Sequence, residues 1–165
     1  MKRTYGNVYL KHPTIEELAL TEMLLADPET MAFNNKWGGT VAFPQSSWQA
    51  FYDRYLSGDP HHEYFHIYNL DHVFVGEVST RYDDTYESFV LNIKILHRYR
   101  GNHHGHNALH AFLDWMFNER DIERIVDDVA SDNQGAIVLL KQIGFRMVES
   151  TDDVTLMELL RRDWT

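Results

Sequence analysis

Between Ile93 and Glu119 the chain carries residues whose types and spacing suit the binding of a phosphate. The run reads Ile93-Lys94-Ile95-Leu96-His97-Arg98-Tyr99-Arg100-Gly101-Asn102-His103-His104-Gly105-His106. Leu91, Ile93 and Ile95 alternate as in a strand, whereas Leu109, Phe112, Leu113, Met116 and Phe117 recur at helical spacing. Gly101 and Gly105 stand at the switch, where a tight turn and close approach to a ligand need little side-chain bulk. The first turn of the following helix offers unpaired N–H groups and a partial positive charge, which together favour an anion. The stretch therefore reads either as a pyrophosphate cradle or as an ordinary strand-to-helix connection.

The histidines raise a metal site as another option. His103, His106 and His110 fall at i, i+3 and i+7, and His61, His62 and His66 form a second scatter. A zinc site needs three or four converging ligands, and no glutamate follows His106 as in a zincin helix. Solvated or phosphate-facing histidines fit better, and no metal is expected.

The composition narrows the function classes. With 165 residues, 44% of them hydrophobic, the chain is long enough for one domain with a real core. It has no apolar run of transmembrane length, and its first residues, Met1-Lys2-Arg3-Thr4-Tyr5, include no apolar secretion segment. Cysteine is absent, which excludes disulfides and thiolate chemistry, and the cytoplasm is the expected setting. The formal charge of −10 argues against nucleic acid and anionic membrane as partners. It either serves solubility or steers a cationic acceptor to the protein.

The elements that must position these residues follow from patterning. Val8–Leu10 reads as a first strand. Thr14-Ile15-Glu16-Glu17 is a capping box for a helix to about Ala26. Asp27-Pro28 starts a second helix, and Asn34–Gln45, with Gly38, Gly39 and Pro44, reads as a loop. Ser46-Ser47-Trp48-Gln49 caps a helix through about Leu56. Tyr64–Asn69 and Val73–Tyr82 form a hairpin around Leu70-Asp71-His72, and Phe89–Leu96 is the next strand. The central helix ends near Asn118. Ile122–Ala130 reads as strand, Gln134–Ile143 as helix, and Arg146–Ser150 pairs with Val154–Leu160. No repeat or linker divides the chain.

In that order, the strand–turn–helix followed by Asp132-Asn133-Gln134-Gly135-Ala136 and Gly144-Phe145 resembles the GNAT superfamily of acyl-CoA-dependent N-acetyltransferases. The superfamily's loop is Arg/Gln-x-x-Gly-x-Gly/Ala, and Arg100, His103 and Gly105 stand at its fixed positions. Asn133 with Ala136 matches its downstream Asn-x-x-Ala. Leu24-Leu25-Ala26-Asp27-Pro28-Glu29-Thr30-Met31 is similar to the subgroup of ribosomal-protein and spermidine acetyltransferases. The resemblance implies a single α/β (α+β) domain over residues 1–165. Its sheet is mixed and mostly antiparallel, with splayed central strands and helices on both faces.

The resemblance also implies a site. Acetyl-CoA is the acyl donor, held by Ile93, Lys94, Ile95, Arg100, Gly101, Asn102, His103, His104, Gly105, His106 and Asn133. An N–H near Ile95 polarises the thioester carbonyl. The acceptor is a small-molecule or peptide amine, cationic by charge complementarity, that attacks directly. Its ammonium form has a pKa near 10.4, so deprotonation at pH 7 costs about 4–5 kcal/mol and calls for a base. Asp128, five places before Asn133, is the first candidate and Glu77 the second. Each is equally readable as a structural or solvated carboxylate.

Two departures stand out. His103 replaces the loop's middle glycine, which either weakens coenzyme binding or adds a phosphate contact. Leu140 stands where many relatives carry an acidic tyrosine, leaving the group that reprotonates the thiolate unassigned. These departures keep a second class open, an acyl-CoA-binding or regulatory relative with weak catalysis. A nucleotide-binding module is a third class, disfavoured for want of a P-loop lysine-serine. Relatives often dimerise, so a homodimer is an expected partner arrangement.

Overall fold

Alternating β-branched and aromatic residues build a single sheet. In the computed structural model, which describes residues 3–165, its strands are β1 (Arg3–Tyr5), β2 (Val8–Lys11), β3 (His62–Asn69), β4 (Phe74–Asp83), β5 (Ser88–Ile95), β6 (Arg124–Ala130), β7 (Arg146–Ser150) and β8 (Val154–Leu160). Their order across the sheet is β1-β2-β3-β4-β5-β6-β8-β7, antiparallel everywhere except between β5 and β6. Among the described residues, no helix is long and apolar enough to cross a membrane. Met1 and Lys2 of the N-terminal pentapeptide lie outside the described residues.

Helices α1 (Leu18–Leu25) and α2 (Trp48–Tyr55) cover one face of the sheet, and α3 (His104–Asp114) and α4 (Gln134–Ile143) the other. Because both faces are covered, β3 and β4 are buried on successive residues rather than on alternate ones. The main core joins Phe65, Val78, Leu91 and Ile125 of the sheet to Leu109, Phe112 and Leu140 of the helices. A smaller cluster beneath α1 gathers Tyr9, Leu24, Met31, Tyr68, Phe74 and Leu96.

The capping box forms as patterned: the Thr14 amide donates to Glu17 Oε1 at 3.0 Å, and the Glu17 amide donates to Thr14 Oγ1 at 3.3 Å. Helix α4 has the expected bounds and ends in a Schellman arrangement. There the Phe145 amide donates to the Leu140 carbonyl, and Gly144 takes φ +124°.

Four local expectations are corrected. An additional strand, β1, only three residues long and too short to show an alternation in the sequence, turns back through Gly6 at φ +56°. The helix expected at Asp27-Pro28 is a turn followed by a 3-10 segment, Ala32–Trp37, so the loop begins at Gly38. The cause is tertiary: Thr30 Oγ1 donates to Asp27 and also accepts the His97 amide at 3.0 Å, which ties this turn to the end of β5. The serines before α2 make no side-chain cap. Finally, the central helix widens into a π-turn at Trp115–Glu119, where the Arg120 amide donates to the Trp115 carbonyl, and this turn sinks Trp115, Met116 and Phe117 into the core.

Candidate active site

The site begins where two strands part. Strands β5 and β6 pair only at Phe89 with Ile125 and at Val90 with Val126. Beyond Val90 they diverge, while β5 stays paired to β4 along its whole length. The Leu96 amide donates to the Val75 carbonyl on the β4 side. Strand alternation therefore turns the amides of Leu91, Ile93 and Ile95 the other way; Leu91 closes the last bridge to β6, and those of Ile93 and Ile95 face the gap. A cleft of about 770 Å³ fills that gap and reaches the start of α3.

The connection after β5 is held from both sides. The Arg100 guanidinium donates to the Ile95 carbonyl and to the Thr30 carbonyl, each at 3.1 Å. On the far side, Asn7 donates to the Asn102 carbonyl at 2.9 Å, and Asn107 donates to Asn7 at 2.7 Å. Gly101 takes φ +83°, and His103 is itself left-handed at φ +61°. Gly105 lies inside the first turn of α3, where an added Cβ would stand 3.3 Å from Leu139 of α4. Among the described residues, the amides of 101–106 donate to no acceptor in the protein. His104 is 8% exposed with Nδ1 unbonded, and burial lowers its pKa below 6.5, so it is neutral at pH 7. A row of free amides at a helix start fits a diphosphate.

The residues read from the sequence divide between cleft and core. Ile93, Lys94, Ile95, Arg100, Gly101, His103, His104, Gly105, His106 and Asn133 all line the cleft. Asn102 lies outside it, beside Asn7, and the Arg100 guanidinium is engaged by the carbonyls of Ile95 at the end of β5 and of Thr30. The Lys94 amide faces β4, so this residue offers the cleft its side chain rather than its backbone. Asn133 caps α4, its side-chain oxygen accepting the Ala136 amide at 3.3 Å.

The two carboxylates named from the sequence have different surroundings. Asp128 is half-buried in the cleft wall, and Tyr86 Oη donates to it at 3.4 Å. Burial, then Asp128, raises the Tyr86 pKa above 10. Glu77 is 5% exposed, not solvated, and accepts from Lys94 Nζ at 3.1 Å and from Tyr64 Oη. Thr21 and His66 complete this sealed network, with Thr21 Oγ1 2.9 Å from His66 Nε2.

The histidines of α3 do other work: His110 stacks on Tyr5 at 4.4 Å, with the His106 ring 5.8 Å away. Of the aromatic residues before β3, Phe33 and Trp37 wall the cleft, whereas Phe51 packs on Phe43, on Tyr55 and on Tyr64 of β3. Sequence reasoning missed Tyr86 and Asp127, both in the cleft wall. The visible signal for Asp127 was a carboxylate at an inward position of the apolar strand Ile125-Val126-Asp127-Asp128-Val129.

The acetyltransferase (GNAT) domain family matches residues 7–146, so the chain belongs to the GNAT acetyltransferases. Its fold is shared with a spermidine N-acetyltransferase from Vibrio cholerae, solved with CoA and spermine, at TM-score 0.81 and 17% identity over 95% of this chain and 97% of that one. A GNAT-family acetyltransferase from Bacillus anthracis superposes at TM-score 0.76 and 13% identity over 98% and 99% of the two chains. A Vibrio cholerae protein assigned as a ribosomal-protein-serine acetyltransferase does so at TM-score 0.75 and 16% identity over 97% of each. A comparison with curated protein sequences found no match.

Proposed function

We propose that the protein, as one domain spanning residues 1–165, moves an acetyl group from acetyl-CoA to the primary amine of a cationic acceptor in the cytoplasm. The observation that carries this reading is the pairing of two sets of unbonded amides, one in the β5–β6 gap and one at residues 101–106. Acetyl-CoA supplies the acetyl group already activated as a thioester. The 101–106 amides hold the diphosphate, and His103 adds an imidazole contact to it. The Ile93 and Ile95 amides align the pantetheine arm and donate to the thioester oxygen, and Asn133 meets the arm from the β6 side.

Asp128 takes the acceptor's proton through a bridging water, with the Tyr86 hydroxyl orienting its carboxylate. Glu77 is already committed to Lys94 and Tyr64, so the base role falls to Asp128. The amine attacks directly, with no covalent enzyme intermediate. Spermine beside CoA in a structural neighbour supports a polyamine or similarly cationic amine as the acceptor class.

Calorimetry with acetyl-CoA followed by thiol release across a panel of amines tests the reading. Binding and turnover with at least one cationic amine is the expected result. Absence of CoA binding would overturn it, and binding without turnover on any amine would favour an acyl-CoA-binding relative.

A further inference from the structure

The geometry points to Asp127 as the acid that protonates the departing thiolate of coenzyme A, with Asp128 as the base on the opposite face of the same strand. This inference rests on the acetyl-transfer reading above.

Consecutive strand residues face opposite sides of a sheet. Asp127 lies between Ile125 and Val129, both members of the core shared with α3 and α4. Asp128 follows the register of Val90 and Arg81 on the α1/α2 face. In a closed sheet two such carboxylates would be separated by backbone. Here β5 leaves β6 after Val126, the cleft passes through the plane of the sheet, and both side chains line it. Asp128 therefore fronts the face walled by Trp37 and Tyr86, and Asp127 fronts the face of His104 and Leu140. Leu140, 1% exposed on that second face, has no proton to give.

Asp127 is 9% exposed and meets no hydrogen-bond or ion-pair partner among the described residues. A buried carboxyl with no donor aimed at it favours its neutral form. Burial, then Asp128, pushes its pKa well above the usual carboxylate range, against opposing pulls from Arg81 on β4 and Lys94 on β5. From the other elements that pack on the strand, α3 presents His104, α4 presents Leu139 and Leu140, and β8 sets Met157 opposite it.

The protons balance. Asp128 removes one proton from the acceptor ammonium and passes it to solvent. The C–N bond forms, the C–S bond breaks, and the sulfur takes the proton of Asp127. The second proton leaving nitrogen returns through Asp128 to Asp127, so each turnover releases one proton overall.

The test is Asp127→Asn, which keeps the shape and neutral state of the group while removing the acidic proton. In wild-type protein without ligand, infrared spectroscopy at neutral pH should show the carbonyl stretch of a protonated carboxyl that is absent in Asp127→Asn. Titrating the thiolate absorbance of bound CoA should give a thiol pKa lower in the variant by about one unit or more, because no carboxylate then opposes the sulfur. The variant's kcat should fall about a hundredfold, with its alkaline limb gone and CoA affinity retained. Equal thiol pKa values, or an unchanged kcat–pH profile in a variant that binds CoA, would overturn the assignment to Asp127. Absence of turnover in wild-type protein would instead bring down the acetyl-transfer reading, and this inference with it.

Discussion

Strand β5 has two unlike edges. Toward β4 it is paired from Ser88 to Ile95, and the polar groups on the α1/α2 side of that seam have partners: Glu77 holds Lys94 and Tyr64, and Thr21 holds Tyr64 and His66. Toward β6 it is paired at two positions only, and the carboxylates beyond them are nearly unpartnered. The molecule thus carries similar side chains in two states. On the closed edge the Glu77 and Lys94 charges neutralise each other across β4 and β5, and Tyr64 links Glu77 to Thr21 of α1. On the open edge the carboxylates front a cleft, and among the described residues the 3.4 Å bond from Tyr86 to Asp128 is the one hydrogen bond they receive, as a site awaiting substrate requires.

That contrast can be broken from the closed side first. Glu77→Leu leaves the Lys94 ammonium, with its side chain 11% exposed, without its counter-charge, and should cost about 3–5 kcal/mol of stability in urea unfolding. Asp128→Asn in the same assay should move stability by less than about 1 kcal/mol. Equal losses would erase the distinction between the two edges.

The closed edge should also be sensitive to acid. Burial lowers the His66 pKa to about 4, outweighing the upward pull of Glu77 and Glu17. The unfolded chain protonates this histidine near 6.5 and the folded one only near 4. Stability is therefore complete above about pH 6.5 and declines as pH falls toward 4, by roughly 3 kcal/mol over the window. His66→Gln should flatten that slope, as read from unfolding midpoints against pH.

On the open edge the expected effect is on rate. Asp128→Asn should lower kcat at pH 7 about a hundredfold while leaving the calorimetric Kd for acetyl-CoA unchanged. A full rate across the pH range would remove Asp128 from the base role without touching the family assignment.

The smallest effect is at the loop. His103 holds a left-handed conformation that favours glycine, so His103→Gly should gain up to about 1 kcal/mol in thermal unfolding. Weaker CoA binding in the same variant would mark the imidazole as a phosphate contact, whereas unchanged or tighter binding would leave it a steric substitute.

Much of this was legible in the chain because it is local. The Thr14–Glu17 box, the bounds of α4 and the strand-to-helix switch at Gly101–Gly105 are written in neighbouring residues. The departures have distant causes. Thr30 forms a turn rather than a helix because its hydroxyl is bonded to His97, 67 positions away. Glu77 could not be recognised as sealed without knowing that Lys94 and Tyr64 flank it across two strand pairings. Asp127 is not legible as a site residue because strand alternation puts it in the core, and only the parting of β5 from β6 opens that core position to a cleft.

Amide hydrogen exchange with and without CoA tests the central claim most directly. The account predicts that protection on CoA addition concentrates at residues 101–106 and at Ile93 and Ile95, with Asn92 and Lys94, already bonded to β4, unchanged. Protection confined to other segments, or none at saturating CoA, would contradict it.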